Sequence, residues 1–365
     1  MNPGVAARRG NPLEWIGPRI RHAQIWLPGY LTTAWQRRNA GPAKHVLVMI
    51  ADHFEPLWNR ADELTATRRV QVWRAGWPLI AARHRDSRGR PPCYTFFYPQ
   101  EEYRPALLDT LRDMVQLKIA DVEIHIHHDG EGQQDFIDRI EGFKKALSER
   151  HGLLHQWQGQ TVFGFIHGNW ALDNSRSDGR WCGLNNEIQL LRDLGCYADF
   201  TMPSVPSETQ ARLVNVIYWA KDDPQRPKSY DLGTPVEAGG GIEGELMMIP
   251  GPVGLNWQGS RRRFLPKVET GELAHHAPPS AERVRLWLRH APRLGDCVFL
   301  KLFAHGAQER NAEALLNGGL DRVFDLLAEE CQRQSIEWHF VSAWQMWQAT
   351  ESYRQRQDPL GALGS

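Results

Sequence analysis

Cysteine is scarce in this chain and never paired in sequence. The five present (Cys93, Cys182, Cys196, Cys297, Cys331) are odd in number and form no CxxC motif. That spacing argues against a disulfide framework and a structural zinc knuckle, and makes buried, reduced thiols the expectation. An excess of either charge is also missing: Lys plus Arg and Asp plus Glu are 43 each, so no net field draws the protein to nucleic acid. No apolar run is long enough for a membrane span or the core of a signal peptide, so the cytoplasm is the expected location. Neither GxxxxGK[ST] nor GxGxxG occurs in a strand-to-helix context, which removes the usual phosphate-binding loops. No low-complexity linker divides the 365 residues. One catalytic domain over 44–345 is expected, after an N-terminal extension (1–43) and before a C-terminal tail (346–365).

The extension is basic and aromatic: Trp15, Ile16, Ile25, Trp26, Leu27, Tyr30, Leu31 and Trp35 alternate with Arg19, Arg21, Arg37 and Arg38. It reads either as a segment packed across the mouth or floor of the domain, or as a weak contact with an anionic membrane surface, peripheral to the inner face. Beyond it the period of the apolar residues switches repeatedly between two and 3.6. Strands are expected at His45–Ile50, Tyr94–Tyr98, Asp121–His127 and Thr161–His167. Further strands are expected at Tyr197–Thr201, Leu246–Ile249, Val298–Phe303 and Trp338–Val341. Helical patterns follow most of them, as at Glu63–Arg85 and Ala312–Arg333. Strand-then-helix repetition implies parallel pairing. Seven or eight such units predict an α/β fold, a distorted (β/α) barrel in a single domain. The stretch 221–259, with Gly239-Gly240-Gly241 and Ile249-Pro250-Gly251-Pro252, interrupts the rhythm and reads as a lid or substrate loop.

Polar residues collect just past the expected strand ends, where barrels place their chemistry. In Glu123-Ile124-His125-Ile126-His127-His128-Asp129, side chains alternate, so His125, His127 and Asp129 share one face and His128 takes the other. Two imidazoles on one face suit zinc or a similar divalent ion. Asp52 and His53, after the first strand, supply a further ligand and a base, which makes the expected metal set Asp52, His53, His125 and His127. Asp52 has a competing use as the cap of the following turn. His305, after Phe299–Ala304, is expected to give a proton to a leaving amine, so Asp52 and His305 are the candidate catalytic pair. His167 and Asn169 are candidates for binding substrate hydroxyls or polarising a carbonyl. Of the fifteen tryptophans, Trp170, Trp181 and Trp257 sit in expected loops, where indole faces stack on sugars.

At these residues the chain resembles the polysaccharide deacetylase superfamily, carbohydrate esterase family four and its relatives. Asp52-His53, His125-Ile126-His127, His167-Gly168-Asn169-Trp170 and Leu302-Phe303-Ala304-His305 follow the order of that family's motifs, across about residues 44–345. The resemblance implies a distorted barrel, one divalent metal ion (zinc) and hydrolysis of the amide that carries an N-acetyl group on an amino sugar or polysaccharide. It departs from the family in three places. Asp-His replaces Asp-Asp, Glu131 stands where a second His of His-x-x-x-His would fall, and His167 replaces an Arg. Two other classes compete: a glycosidase using Asp52 with Glu55 or Asp173, which would need no histidine cluster, and a carbohydrate-binding protein without turnover.

Overall fold

All eight expected strands form in the computed structural model, which describes residues 21–258 and 266–363. We number these eight main strands β1 (His45–His53), β2 (Tyr94–Pro99), β3 (Ala120–Ile126), β4 (Gln160–His167), β5 (Cys196–Asp199), β6 (Leu246–Met248), β7 (Cys297–Ala304) and β8 (Glu337–Phe340). β1 is central. β7 runs parallel along one edge from His45 to Asp52. The other edge is shared, with β8 beside residues 45–48 and β2 beside residues 50–53. From β2 the parallel order continues through β3, β4, β5 and β6. Short pieces extend both ends: Glu272–Leu273 pairs parallel with β7, and Tyr218–Ala220 pairs antiparallel with β6 and with Gly233–Pro235. Among the described residues no ladder joins the two ends, so what is seen is a mixed α/β domain with a large, mostly parallel sheet.

Strand parity divides the core in two. Val46, Val48 and Ile50 of β1 face the helices and pack with Trp73 and Trp77 of the helix Glu63–Arg83, along with Tyr94 and Phe96. That helix starts where Asp62 accepts a hydrogen bond from the Thr65 amide. Leu47, Met49 and Ala51 face the other way, into a cluster with Phe97, Ile166, Phe200 and Phe299. We call this side the inner face. Unbroken apolar strands, buried on both sides, are what a covered parallel sheet requires.

Three boundaries differ from the sequence reading. The first part of the expected tail, residues 346–354, belongs to the helix Ala343–Arg354, which opens with a Ser342–Gln345 capping box. Its Met346, Trp347 and Ala349 complete the inner core. The expected lid is built into the domain as well: β6 lies within it, and Gly239 donates to Arg354 O while Arg354 donates back to Gly240 O. Residues 237–243, around the glycine run, carry no strand or helix and are mostly exposed; Gly259 lies outside the described residues. In the N-terminal extension, the helix Ala23–Gln36 packs on the domain through Trp26, against Val214 and Val253. Gly29 permits this, because a Cβ there would fall 2.1 Å from Arg212 O. Arg37 follows and donates to the carbonyls of Arg289, Asn215 and Ala291. Leu31 and Trp35 stay exposed. Trp15, Ile16 and Arg19 lie outside the described residues. Among the described residues, no helix is long and apolar enough to cross a membrane.

Candidate metal centre

β1 and β7 run in register, with Ala51 opposite Phe303 and Asp52 opposite Ala304. His53 therefore emerges on the inner face beside His305, with ring centroids 4.7 Å apart. β3 reaches the same level through β2: His53 pairs with Phe97, and Pro99 with His125. The His53 and His125 rings come within 5.2 Å. Two residues beyond His53, on the same parity, Glu55 brings Oε1 to 3.4 Å from His125 Nε2 and 3.6 Å from His127 Nε2. One ligand atom each from His53, Glu55 and His125 lies within 4.8 Å of the others, and all three side chains are buried or nearly so.

The state of His125 is set from behind. Its Nδ1 sits 2.8 Å from Ile166 O, a pure acceptor, so that nitrogen carries a proton and the neutral ring presents its lone pair at Nε2. Nε2 is buried and has no hydrogen-bond partner. An imidazole fixed by a carbonyl, with its other nitrogen bare and facing a carboxylate, is how a metal ligand is prepared. Without a cation between them, that lone pair would meet a carboxylate oxygen across 3.4 Å. The residues present fit a divalent metal.

Charge follows the same logic. Burial, then the neighbouring His305, His125 and Lys301, push His53 well below the usual histidine range. Burial likewise lowers His305. For Glu55 burial works against ionisation, but its contact with His125 and the nearby His305 and His127 outweigh it and hold the carboxyl down. A histidine whose charged form is disfavoured, beside a carboxylate whose charged form is favoured, is a ligand pair of the right kind.

His127 leaves the strand at the rim and stays 31% exposed. Its Nδ1 lies 2.5 Å from Glu101 Oε1, in the turn after β2. Burial opposes a charge on His127, but the hydrogen bond and charge of Glu101 prevail and raise its pKa. Gly168 makes room for this ring, since a Cβ there would lie 2.2 Å from His127 Cδ2.

Beside the cluster runs a cleft of about 400 Å³ lined by residues including Asn169, Trp170, Trp181, Ser204, Ser207 and Phe303. Trp170 joins the cleft to the cluster, with ring centroids 6.0 Å from both His53 and His305. Asn169 and Trp170 both take φ of +55°, a region that bulky side chains seldom adopt and that tends to be kept at functional sites. Arg176 lies over the Trp181 ring at 4.1 Å.

The structure thus brings together His53, His125, His127 and His305, with Asn169 and Trp170 alongside. It does not bring in Asp52 or His167. Asp52 has the even parity of Val48 and Ile50 and faces the helices, where Gly306 N and Tyr94 Oη donate to its two oxygens at 2.7 and 2.9 Å. It ties β7's end to β1 and β2; the ligand and base roles expected of it do not fit this geometry. His167 follows Phe163 and Phe165 onto the helix side and meets His128 there. Of the glycosidase carboxylates, Asp52 faces away and Asp173 is buried with both Ser229 N and Oγ donating to its Oδ2. Asp129 receives the Trp181 amide. Two contributors escaped the sequence reading as parts of a metal centre. Glu55 is signalled by the alternation in His53-Phe54-Glu55, whereas Glu101 reaches His127 only through the fold. The chain matches no known family model, and no curated protein is significantly similar to it.

Proposed function

We propose that this protein is a metal-dependent hydrolase that removes the acyl group from an N-acylated amino sugar, with the strands arranged as a distorted barrel around the inner face. The observation that carries the reading is His125: an orphaned, buried Nε2 aimed at Glu55 beside His53, next to an aromatic cleft. His53, Glu55 and His125 would hold one divalent ion, zinc by its nitrogen and oxygen donors. When bound, the ion supplies Lewis acidity to the carbonyl and to water.

The chain's own residues do the rest. Amide hydrolysis needs one proton removed from the attacking water and another delivered to the departing nitrogen. His127, held by Glu101 at the rim, and His305, enclosed between His53 and Trp170, are the two imidazoles in reach of the centre. His305, whose pKa burial lowers, would accept the proton, the reverse of the donor role that the sequence suggests for it; His127, whose pKa Glu101 raises, would donate one. Trp170 and Trp181 offer ring faces to a sugar, and Asn169, Ser204 and Ser207 offer hydrogen bonds to its hydroxyls.

Acetate release from a panel of acetylated amino sugars, with and without a chelator, tests this. Release that stops on chelation and returns with zinc is expected. Chelator-insensitive cleavage of glycosidic bonds would replace the reading with a glycosidase, and sugar binding without turnover would replace it with a binding protein.

A further inference from the structure

A second group of metal-capable side chains lies on the opposite side of the sheet from His125. His128, His167, Cys182 and Glu187 are all buried, and one ligand atom from each lies within 4.8 Å of the others. His128 Nε2 is 2.9 Å from His167 Nε2 and 3.0 Å from Glu187 Oε1; His167 Nε2 is 3.3 Å from the same Glu187 oxygen. Cys182 Sγ lies 3.3 Å from Glu187 Oε2. Four ligands at zinc bond lengths of about 2.0–2.3 Å in a tetrahedron stand roughly 3.3–3.8 Å apart, so these contacts need only small adjustment around an ion.

Hydrogen bonding alone leaves this group unsatisfied. His167 Nδ1 faces Gly168 O at 2.6 Å and must carry the proton, so a neutral His167 turns a lone pair toward Glu187 Oε1. If His128 Nε2 donates to either neighbour, its Nδ1 is left bare, buried and without a partner. A cation among the three atoms would turn the lone pair and the carboxylate that face each other into ligands. It would also free His128 Nδ1 to carry its proton on the side of the Glu131 carboxylate, 3.7 Å away. The supporting contacts are those of a ligand shell: Asp173 N donates to Glu187 Oε2 at 2.6 Å, and Leu184 N lies 3.5 Å from Cys182 Sγ as a donor.

We propose that His128, His167, Cys182 and Glu187 form a second, structural zinc site, sealed inside the protein and separate from the inner-face centre. Thiolate and carboxylate together would neutralise Zn²⁺, which suits a site with no solvent access, and the thiolate favours zinc over magnesium or calcium. Filling four positions leaves none open for substrate. The site would join the end of β3, the end of β4 and the loop that enters the helix Glu187–Asp193. That loop carries Trp181, and Trp170 follows His167 by three residues, so the ion would fasten two aromatic walls of the cleft.

The test is X-ray absorption and metal content on the intact zinc-loaded chain, with cobalt as a second probe. Two zinc ions per chain are expected, with about one sulfur per two zincs at about 2.3 Å, and a thiolate-to-cobalt charge-transfer band. Cys182→Ser should remove the sulfur signal and the band, whereas His53→Ala should remove one ion and leave both. One ion with a sulfur ligand would support this site and count against the inner-face centre. Zinc without any sulfur neighbour in the wild-type chain, whatever the variants do, overturns the proposal, as does a sulfur signal unchanged in Cys182→Ser.

Discussion

His127 and His128 are adjacent in sequence, yet they belong to two clusters that differ in almost every physical respect. The inner cluster (His53, Glu55, His125, with His127 and His305) borders a cleft, and its His127 and Glu101 are about one-third exposed. The outer cluster (His128, His167, Cys182, Glu187) has no exposed member. Imidazole and carboxylate are common to both; only the outer one adds a thiol. On the proposed reading, access to solvent and substrate rather than ligand type separates a centre suited to chemistry from one suited to holding structure. One residue of strand parity separates them.

The sharpest way to break this comparison is to remove a ligand from each side. His125→Ala should lower turnover by about 10³-fold or more, because Lewis-acid stabilisation is worth several kcal/mol at ~1.4 kcal/mol per decade of rate. Assay of the folded variant with acetylated amino sugars checks it; turnover within tenfold of wild type would remove His125 from the centre.

That expectation was largely legible in the sequence, and the reason is local. Period-two alternation over residues 123–129 correctly separates His125 from His128, and all eight strand cores could be read from their β-branched and aromatic runs. The same alternation, applied to Asp52-His53, allows only one of the two to face inward, and the neighbouring Ala51 and Met49 in the inner core decide for His53. Likewise Phe163 and Phe165 carry His167 outward. Glu101, Cys182 and Glu187 had no such signal. They lie in turns or at a helix start, and only tertiary folding brings them to their histidines.

A smaller effect is expected at the dyad. Glu101→Gln should reduce kcat by about 10²-fold, within the range typical of general acid–base groups. Glu101 raises the pKa of His127, so losing it lets that pKa fall, and the alkaline limb of the rate profile should move to lower pH. A pH–rate series on both proteins reads it; an unmoved limb would assign the proton to another group. Smaller again, Trp170→Ala should raise KM about fivefold while sparing kcat, as expected for a stacking contact worth about 1 kcal/mol. Steady-state kinetics on one substrate suffices.

Asp52 gives the weakest effect on chemistry and the clearest one on stability. Asp52→Asn should leave metal content intact and cost about 1–3 kcal/mol, since an amide cannot accept from both Gly306 N and Tyr94 Oη. Burial lifts the Asp52 carboxyl to about 7 from its ordinary 3.8, so the folded state holds the proton more tightly than the unfolded one. Stability from this group is therefore present below pH ~4 and lost as pH rises through about 7. Denaturation midpoints between pH 4 and 8 should fall in wild type and show less slope in the variant.

The contrast between an open and a sealed centre is tested most directly by timed chelation of the zinc-loaded protein, with metal content, activity and melting temperature followed together. One ion should leave quickly and take acyl hydrolysis with it while the melting temperature holds. The second should leave slowly and lower the melting temperature as it goes. Loss of both ions in a single phase, or loss of activity only with the slow ion, would contradict the account.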